Sequence, residues 1–525
     1  MERHAPTSIF PPVDNTLQKQ ANPINTLPPE LLSLIFGYLP ERPGVDGAPT
    51  RDPATAFQIW NPTILDTNVS LVLTQVCRYW RDVCLQSSVL WSHVVDSPES
   101  INLPPEVIIE RSREQPLKVL LTSTKPRLAS MLSEHGHRIQ ELHWISLDLQ
   151  RNDHLLSFPA PSLRTLTLTG PRAPPSYEYP NSPPDDSHLP TLFSNHIPRL
   201  ERLSLSDLTW FPLTGLGSLT HLYLDSCRGP KLTSRLLTLL GNTPHLEHLV
   251  LSALPDLALA HPRTTEAPIA LTALRTLVLN SLSADSCAAL LAHLSLPLSA
   301  ALRIADIFPC AASLPSALAG LPPVRAATRL ALDLTRAQPS VCAVGGAAGV
   351  RVHGYTSWFH YEFWLGAAQH IVSQAQIKEL WVTAGGRIDV KHGAALCDLV
   401  GALPELELLV VDDAVVELMG SMRGGKPFPA CPCLMSVHVL CEGRLDASAI
   451  VDALIVHEAQ LTSRHVRVCC SPGFLFMADD WRELDQRFHS VEYEAYEHTP
   501  KMAMPESCNN PGHILWPSWR GEDRG

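Results

Sequence analysis

The segments PRLERLSLS at residues 198–206 and PHLEHLVLS at residues 244–252 decide the fold. Each sets a proline two residues ahead of a leucine and continues as apolar-x-x-Leu-x-apolar. In an extended chain the last two apolar residues of that frame share one face, because side chains alternate with period two. Working outward, the frame recurs as Ile139-Leu142-Trp144, Leu163-Leu166-Leu168, Leu200-Leu203-Leu205, Leu219-Leu222-Leu224, Leu246-Leu249-Leu251 and Leu274-Leu277-Leu279. It returns as Ile377-Leu380-Val382, Leu406-Leu409-Val411 and Leu434-Val437-Val439. Weaker copies stand at Leu302-Ile304, Leu330-Leu332, Val350-Val352, Val466-Val468 and Val491-Tyr493. Middle residues fall 24, 37, 19, 27 and 28 apart in the first six copies, and 29 and 28 apart in the last three.

Those intervals match one turn of a leucine-rich repeat. The stretches between strands carry leucines or alanines at helical spacing, as at Leu232 to Leu240, Ser283 to Leu294, Gly393 to Gly401 and Asp446 to Glu458. Strand then helix, repeated, predicts a parallel sheet on an inner arc with helices outside. Five copies begin Pro-x-Leu, at Pro161, Pro198, Pro244, Pro404 and Pro432. A proline there is expected to end the preceding helix and feed an extended segment. This explains part of the excess of 47 prolines in 525 residues. The position three after the last strand leucine is Cys227 in one copy and Leu208, Leu254 and Leu282 in others. An asparagine ladder is absent, and the expectation is an irregular horseshoe over 136–495. Gly170 to Pro190, with seven prolines and no apolar period, reads as a disordered loop. The tail 496–525 reads as loosely structured.

The N-terminal part is organised differently. After a flexible lead over 1–23, Pro28 and Pro29 suit the first turn of a helix, and Leu31, Leu34, Ile35 and Tyr38 recur at helical spacing. A Gly- and Pro-rich loop over 41–62 leads to a second helix from about Val69 to Leu85, then to Ser88-Val89-Leu90-Trp91-Ser92-His93-Val94. Three short helices expose more apolar surface than they can bury among themselves, which points to a partner that completes the core.

Leu27-Pro28-x-Glu30-Leu31 with Ile35 and Leu39, then Val76-Cys77-Arg78-x-Trp80-Arg81, then Leu90-Trp91, resembles an F-box, in particular the F-box-like domains of fungi. The resemblance covers roughly Ile24 to Val95, and its loop 41–62 is longer than the family's usual connection. It implies an adaptor that docks on a Skp-type protein and through it on a cullin–RING ubiquitin ligase. By motif position the docking residues are Leu27, Pro28, Leu31, Ile35, Val76, Cys77, Trp80, Leu90 and Trp91; the competing reading of each is packing inside the helical unit. The expected fold class is α+β overall: a three-helix F-box-like domain over 24–95, a connecting segment over 96–135, and an α/β leucine-rich-repeat-like solenoid.

Composition narrows the function. The chain is 45% hydrophobic and 18% charged, with a net charge of −12, the wrong sign for a binder of phosphate backbones. Thirteen cysteines without framework spacing read as reduced thiols. MERHAPTSIFPPVDNTLQKQ lacks the apolar centre of a signal peptide, and Ile307 to Val324 carries four prolines, so neither export nor a membrane span is expected. The expected setting is cytoplasmic or nuclear. Gly420 to Lys426 follows a phosphate loop until Pro427, where Ser or Thr should reach magnesium. Cys431, Cys433 and Cys441, and the Cys469-Cys470 pair, lack zinc-ligand spacing. No enzyme, cofactor or metal is expected. The strand frame turns His221, Tyr223 and Asp225, His248 and Ser252, and Glu379, Trp381 and Thr383 away from the core, onto a concave face that could bind a protein substrate. An ordinary solvated face is the alternative there. A repeat scaffold with no ligase connection, its N-terminal helices merely capping the array, is the alternative to the adaptor.

Overall fold

The structure is a computed structural model describing residues 23–38, 67–96, 103–122, 129–145, 147, 156–171, 192–210, 212–213, 216–229, 231–254, 257, 267–307, 313–335, 339–354, 361–384, 390–421, 431–441, 450–451, 453, 465–471, 478–496 and 500–508. Nearly all of the expected lead and the whole loop 41–62 lie outside these residues. So do most of Gly170 to Pro190, most of the helix expected at Asp446 to Glu458, and the chain beyond Cys508.

Among the described residues leucine periodicity builds one sheet of 17 strands. The first seven follow one another in parallel: β1 (His93–Asp96), β2 (Leu117–Leu121), β3 (Ile139–Trp144), β4 (Thr165–Thr169), β5 (Arg202–Ser206), β6 (His221–Asp225) and β7 (His248–Ser252). A short pair, β8 (Ile269–Ala270) with β10 (Leu294–Ser295), stands apart, while β9 (Thr276–Asn280) and β11 (Ala301–Ile307) extend the large sheet. Leu166, Leu203, Leu222, Leu249, Leu277 and Leu302 are successive cross-strand partners, and every one is fully buried. Burial of one leucine stabilises by about 2 kcal/mol, so this row is a large part of what holds the array. Helices cover it, among them Leu232–Gly241, Ala284–His293 and Tyr361–Val372, each feeding leucines or alanines into the same core.

The prolines act differently from the expectation. In all five Pro-x-Leu copies the leucine N–H donates to the carbonyl of the residue before the proline: Leu163 to Ala160, Leu200 to Ile197, Leu246 to Thr243, Leu406 to Leu403 and Leu434 to Cys431, at 3.1–3.3 Å. Proline therefore holds the second position of a four-residue turn, which its fixed φ favours. Leu219 and Leu274 close the same turn without proline, through Leu216 and Leu271.

Each strand leaves the sheet through another recurrent device. Asp207, Ser226, Ala253 and Ser281, one residue after β5, β6, β7 and β9, all have φ between 47° and 54°, as does Asp306 near the end of β11. Their N–H groups donate onward: Asp207 to Asp225, Ser226 to Ser252, Ala253 to Asn280 and Ser281 to Ala305. This chain of backbone bonds stands where an asparagine ladder is missing.

Among the described residues the array is interrupted once. β12 (Arg329–Asp333), β13 (Ser340–Val344) and β14 (Gly349–Gly354) form an antiparallel meander laid in backwards: β14 pairs with β11, β13 lies between β14 and β12, and β12 pairs with β15 (Glu379–Thr383). Leu330-Leu332 is thus separated by two intervening strands, β14 and β13, from its expected neighbour Leu302-Ile304. The parallel order then resumes through β16 (Leu408–Asp412), β17 (Ser436–Cys441), β18 (His465–Cys470) and the edge strand β19 (Ser490–Ala495).

At the other end sit α1 (Pro29–Tyr38), α2 (Thr67–Val76) and α3 (Arg78–Gln86). Their buried Leu32, Phe36, Leu73 and Val83 join Leu90, Trp91 and Val94 in the core of the array. The expected connecting segment 96–135 is no connector: it holds the helix Pro105–Ser112, β2 and the helix Ala129–His135, and the sheet starts at His93. LKVLL of β2 lacks the Pro-x-Leu frame, which is why the pattern hid it.

Candidate interaction surfaces

The helical cap shows two faces. On α1, Leu32 and Phe36 point inward, whereas Leu31, Leu34, Ile35 and Tyr38 face out, Leu34 at 60% and Tyr38 at 67% exposure. Val72 and Val76 of α2, Leu85 of α3 and Val89 are exposed as well. Among the described residues eleven large apolar side chains are exposed, and these are eight of them.

The motif residues divide accordingly. Leu31, Ile35 and Val76 are exposed. Leu27, partly buried, packs against the core, and its carbonyl accepts from the Tyr79 hydroxyl at 2.6 Å. Pro28 precedes α1 and its carbonyl accepts from Leu32 N–H at 3.1 Å. Cys77 caps α3, its Sγ accepting from Trp80 N–H at 3.4 Å. Trp80 packs against Phe36, ring centres 4.8 Å apart and planes tilted by 54°, and donates from Nε1 to Asn25 Oδ1 at 2.9 Å. Leu90 and Trp91 are interior, which corrects their reading as docking residues. Trp91, 2% exposed, donates from Nε1 to the Cys84 carbonyl at 2.8 Å, and the Arg111 guanidinium lies 4.6 Å from its ring centre. A residue so enclosed holds the cap to the sheet and offers nothing to a partner.

The inner face of the sheet, opposite the helices, carries three rows of side chains. In the first, Lys118 Nζ lies 3.3 Å from Glu141 Oε1, His221 and His248 stack at 4.4 Å, and His248 Nδ1 meets Thr276 Oγ1 at 2.6 Å. Burial raises the Glu141 carboxyl, but hydrogen bonds and charge from His143 and Lys118 outweigh it and hold the group at about 2. In the middle row His143, Thr167, Ser204, Tyr223 and Val250 are all buried. Tyr223 lies on the expected face yet is only 7% exposed, so it is not the open anchor expected of it. Asp225 lies in the third row beside Ser252.

The architecture is leucine-rich-repeat-like. The chain is similar to a solved internalin from Listeria monocytogenes, at 15% identity over 73% of this chain and 90% of that one, with a TM-score of 0.28. No family model and no curated protein matches the chain.

Farther along the array, Glu379, Trp381 and Thr383 share the inner face of β15 and are half-buried; Trp381 Nε1 donates to Glu379 Oε1 at 2.6 Å. Here the face is apolar. Val410, Leu440 and Cys469 form one buried cluster with Trp381 and Tyr496 against it. Ala301, Cys342 and Val344 form a second, and they share it with Met502 and Cys508. The tail expected to be loose therefore lies on the array, at least over residues 500–508. Its methionines gave no periodic signal in sequence.

Gly420 ends the helix Asp413–Ser421, whereas a phosphate loop would open one; 422–430 lie outside the described residues. Among the described residues no three His, Cys, Asp or Glu side chains gather as metal ligands, and no helix is long and apolar enough to cross a membrane.

Proposed function

We propose that the chain is a protein-interaction scaffold, a repeat-built platform whose N-terminal helical face docks on a protein partner. The observation that carries this is that eight of the eleven large apolar side chains exposed among the described residues belong to the helical cap, Leu31, Leu34, Ile35, Tyr38, Val72 and Val76 among them. Water-facing apolar groups so concentrated mark a docking surface, since scattered single ones are the norm elsewhere.

The finer reading is an F-box adaptor: the helical face binds a Skp-type protein, which connects the chain to a cullin–RING ligase, while the array selects a protein substrate for ubiquitin conjugation. Supporting it, motif positions Leu31, Ile35 and Val76 fall on the exposed face, with Leu27, Pro28 and Trp80 beside it. Ile35→Asp with Val76→Asp tests both levels. Surface changes leave stability within about 0.5 kcal/mol, so the melting temperature should hold. Affinity for a purified Skp-type adaptor should fall more than about tenfold, as expected for central apolar anchors. If the adaptor never binds, but another stoichiometric protein is retained by the wild type and lost by the double variant, the scaffold reading stands without a ligase. Retention of every partner by the double variant would remove the helical face from both readings.

A further inference from the structure

The sheet ends at β19, and residues 500–508 then lie back over strands laid down much earlier. Ser507 Oγ donates to the Ala347 carbonyl, in the turn between β13 and β14, at 2.7 Å. From β19 to β13 is six strand positions, about 29 Å at about 4.8 Å each. Twelve residues separate Ala495 from Ser507, with an extended reach of about 40 Å, so much of this return must be extended. Burial agrees: Lys501 and Ala503 are exposed, Met502 is buried and Met504 half-buried, the alternation of an extended segment. Residues 500–508 nevertheless add no strand to the sheet. Met502 and Cys508 are buried with Ala301, Cys342 and Val344, and Met504 packs there beside Ala331 and Trp381.

We propose that the inner face over β11, β13, β12 and β15 is a receptor for an extended apolar segment of a partner protein, bearing methionine-like side chains at alternating positions, and that residues 500–508, extended as far as Pro505 and closed by one helical turn at Glu506–Cys508, are its resident occupant. A segment that contributes side chains but no sheet ladder can leave without opening the sheet. Methionine suits an exchangeable occupant, being flexible and tolerant of varied apolar surroundings. The attached segment competes at an effective concentration on the order of millimolar, so a partner must bring either higher affinity or more contacts. The inference adds a second surface to the scaffold reading and is independent of the helical face, so either can fail alone.

The probe is a labelled peptide of residues 500–508, kept reduced and added to the full-length chain. Wild-type chain should not bind it at about 10 μM, because the tethered copy wins. The full-length Met502→Glu, Met504→Glu variant, its own strap expelled, should bind at least tenfold better, and adding Trp381→Ala should abolish the gain. Site-resolved alkylation supplies a second reading. Cys342 and Cys508 shield each other under the strap, whereas Cys227 and Cys287 lie in the leucine core. The double variant should label the first two and spare the second two. Equal binding by wild type and variant, or none by either, overturns the proposal. So does labelling of all four cysteines together, which would make the strap an inseparable part of the core.

Discussion

Leu222 and Tyr223 are neighbours whose fates show how far a single position can be read. The frame turns Leu222 inward, and it is indeed enclosed between Leu203 and Leu249. Tyr223 turns the other way as expected, but it is buried as well, and alternation encodes only the face a side chain takes and not how enclosed that face is. Leu222→Asp should therefore unfold the array, and Tyr223→Asp should also lower the melting temperature by burying a charge; circular dichroism melts of both variants check this. His353 gives a pH prediction. Arg303 Nε donates to its Nε2 at 3.2 Å, and burial, reinforced by Arg303 and Arg351, holds the ring down to about 3. The unfolded ring titrates near 6.5, so the neutral folded form contributes stability above that pH. This contribution declines as pH falls from 6.5 towards 3, by up to about 1.4 kcal/mol per unit. Melting temperature should drop between pH 7.5 and 5.5, and less steeply in His353→Gln, which keeps an acceptor without titrating. An unchanged slope in the variant would place the acid sensitivity elsewhere.

At the scale of elements, strand positions and the helices Leu232–Gly241 and Ala284–His293 follow local pattern closely, because one buried leucine face fixes register. Ser283 even caps its helix, Oγ accepting from Ser286 N–H at 3.0 Å. The turns were legible only in part. Proline marked where strands begin, while the left-handed residues after them are Asp, Ser and Ala, with no common signature. Two substitutions probe that geometry. Ala253 has φ 47°, a conformation costing an alanine about 1–2 kcal/mol; Ala253→Gly removes that cost but loses about 0.5–1 kcal/mol to chain entropy, for a small net gain in denaturant midpoint. Gly170→Ala should do the reverse, since the new methyl would meet the Asp207 carbonyl inside van der Waals distance. In the helical cap the sequence marked the apolar stripe of α1 but not which residues lie inside; Leu32 and Phe36 fill that role, and the stripe itself stays outside.

For the whole molecule, repetition revealed a parallel sheet with helices outside, and a frame of six residues contains no information about which strand lies beside which. Hence β13 was missed and the order across β11, β14, β13 and β12 could not be foreseen. The two ends of the sheet are treated differently. Helices cover the first strand, while β19 presents Glu492, Tyr493, Glu494 and Ala495 to solvent. Arg467 holds Glu492 at 2.8 Å and Glu494 at 3.5 Å, and this row of charge discourages pairing with a second sheet edge. Glu492→Val with Glu494→Val should turn the edge apolar and drive concentration-dependent association, visible by size-exclusion chromatography; a monodisperse double variant would show that charge is not what protects the edge.

The reversed meander also has a mechanical consequence. Pulled from its C-terminus, and with residues 500–508 first drawn off the inner face, the array would shed β19, β18, β17, β16 and β15 one at a time, each the outermost strand when its turn comes. The next strand along the chain is β14, which is not outermost: β13 and then β12 still lie outside it. Peeling must stall there until three strands give way together, so a force ramp should record several short extensions and then one long, harder step. The meander is a ratchet that divides the chain into a C-terminal part able to unspool and an N-terminal part guarded against it.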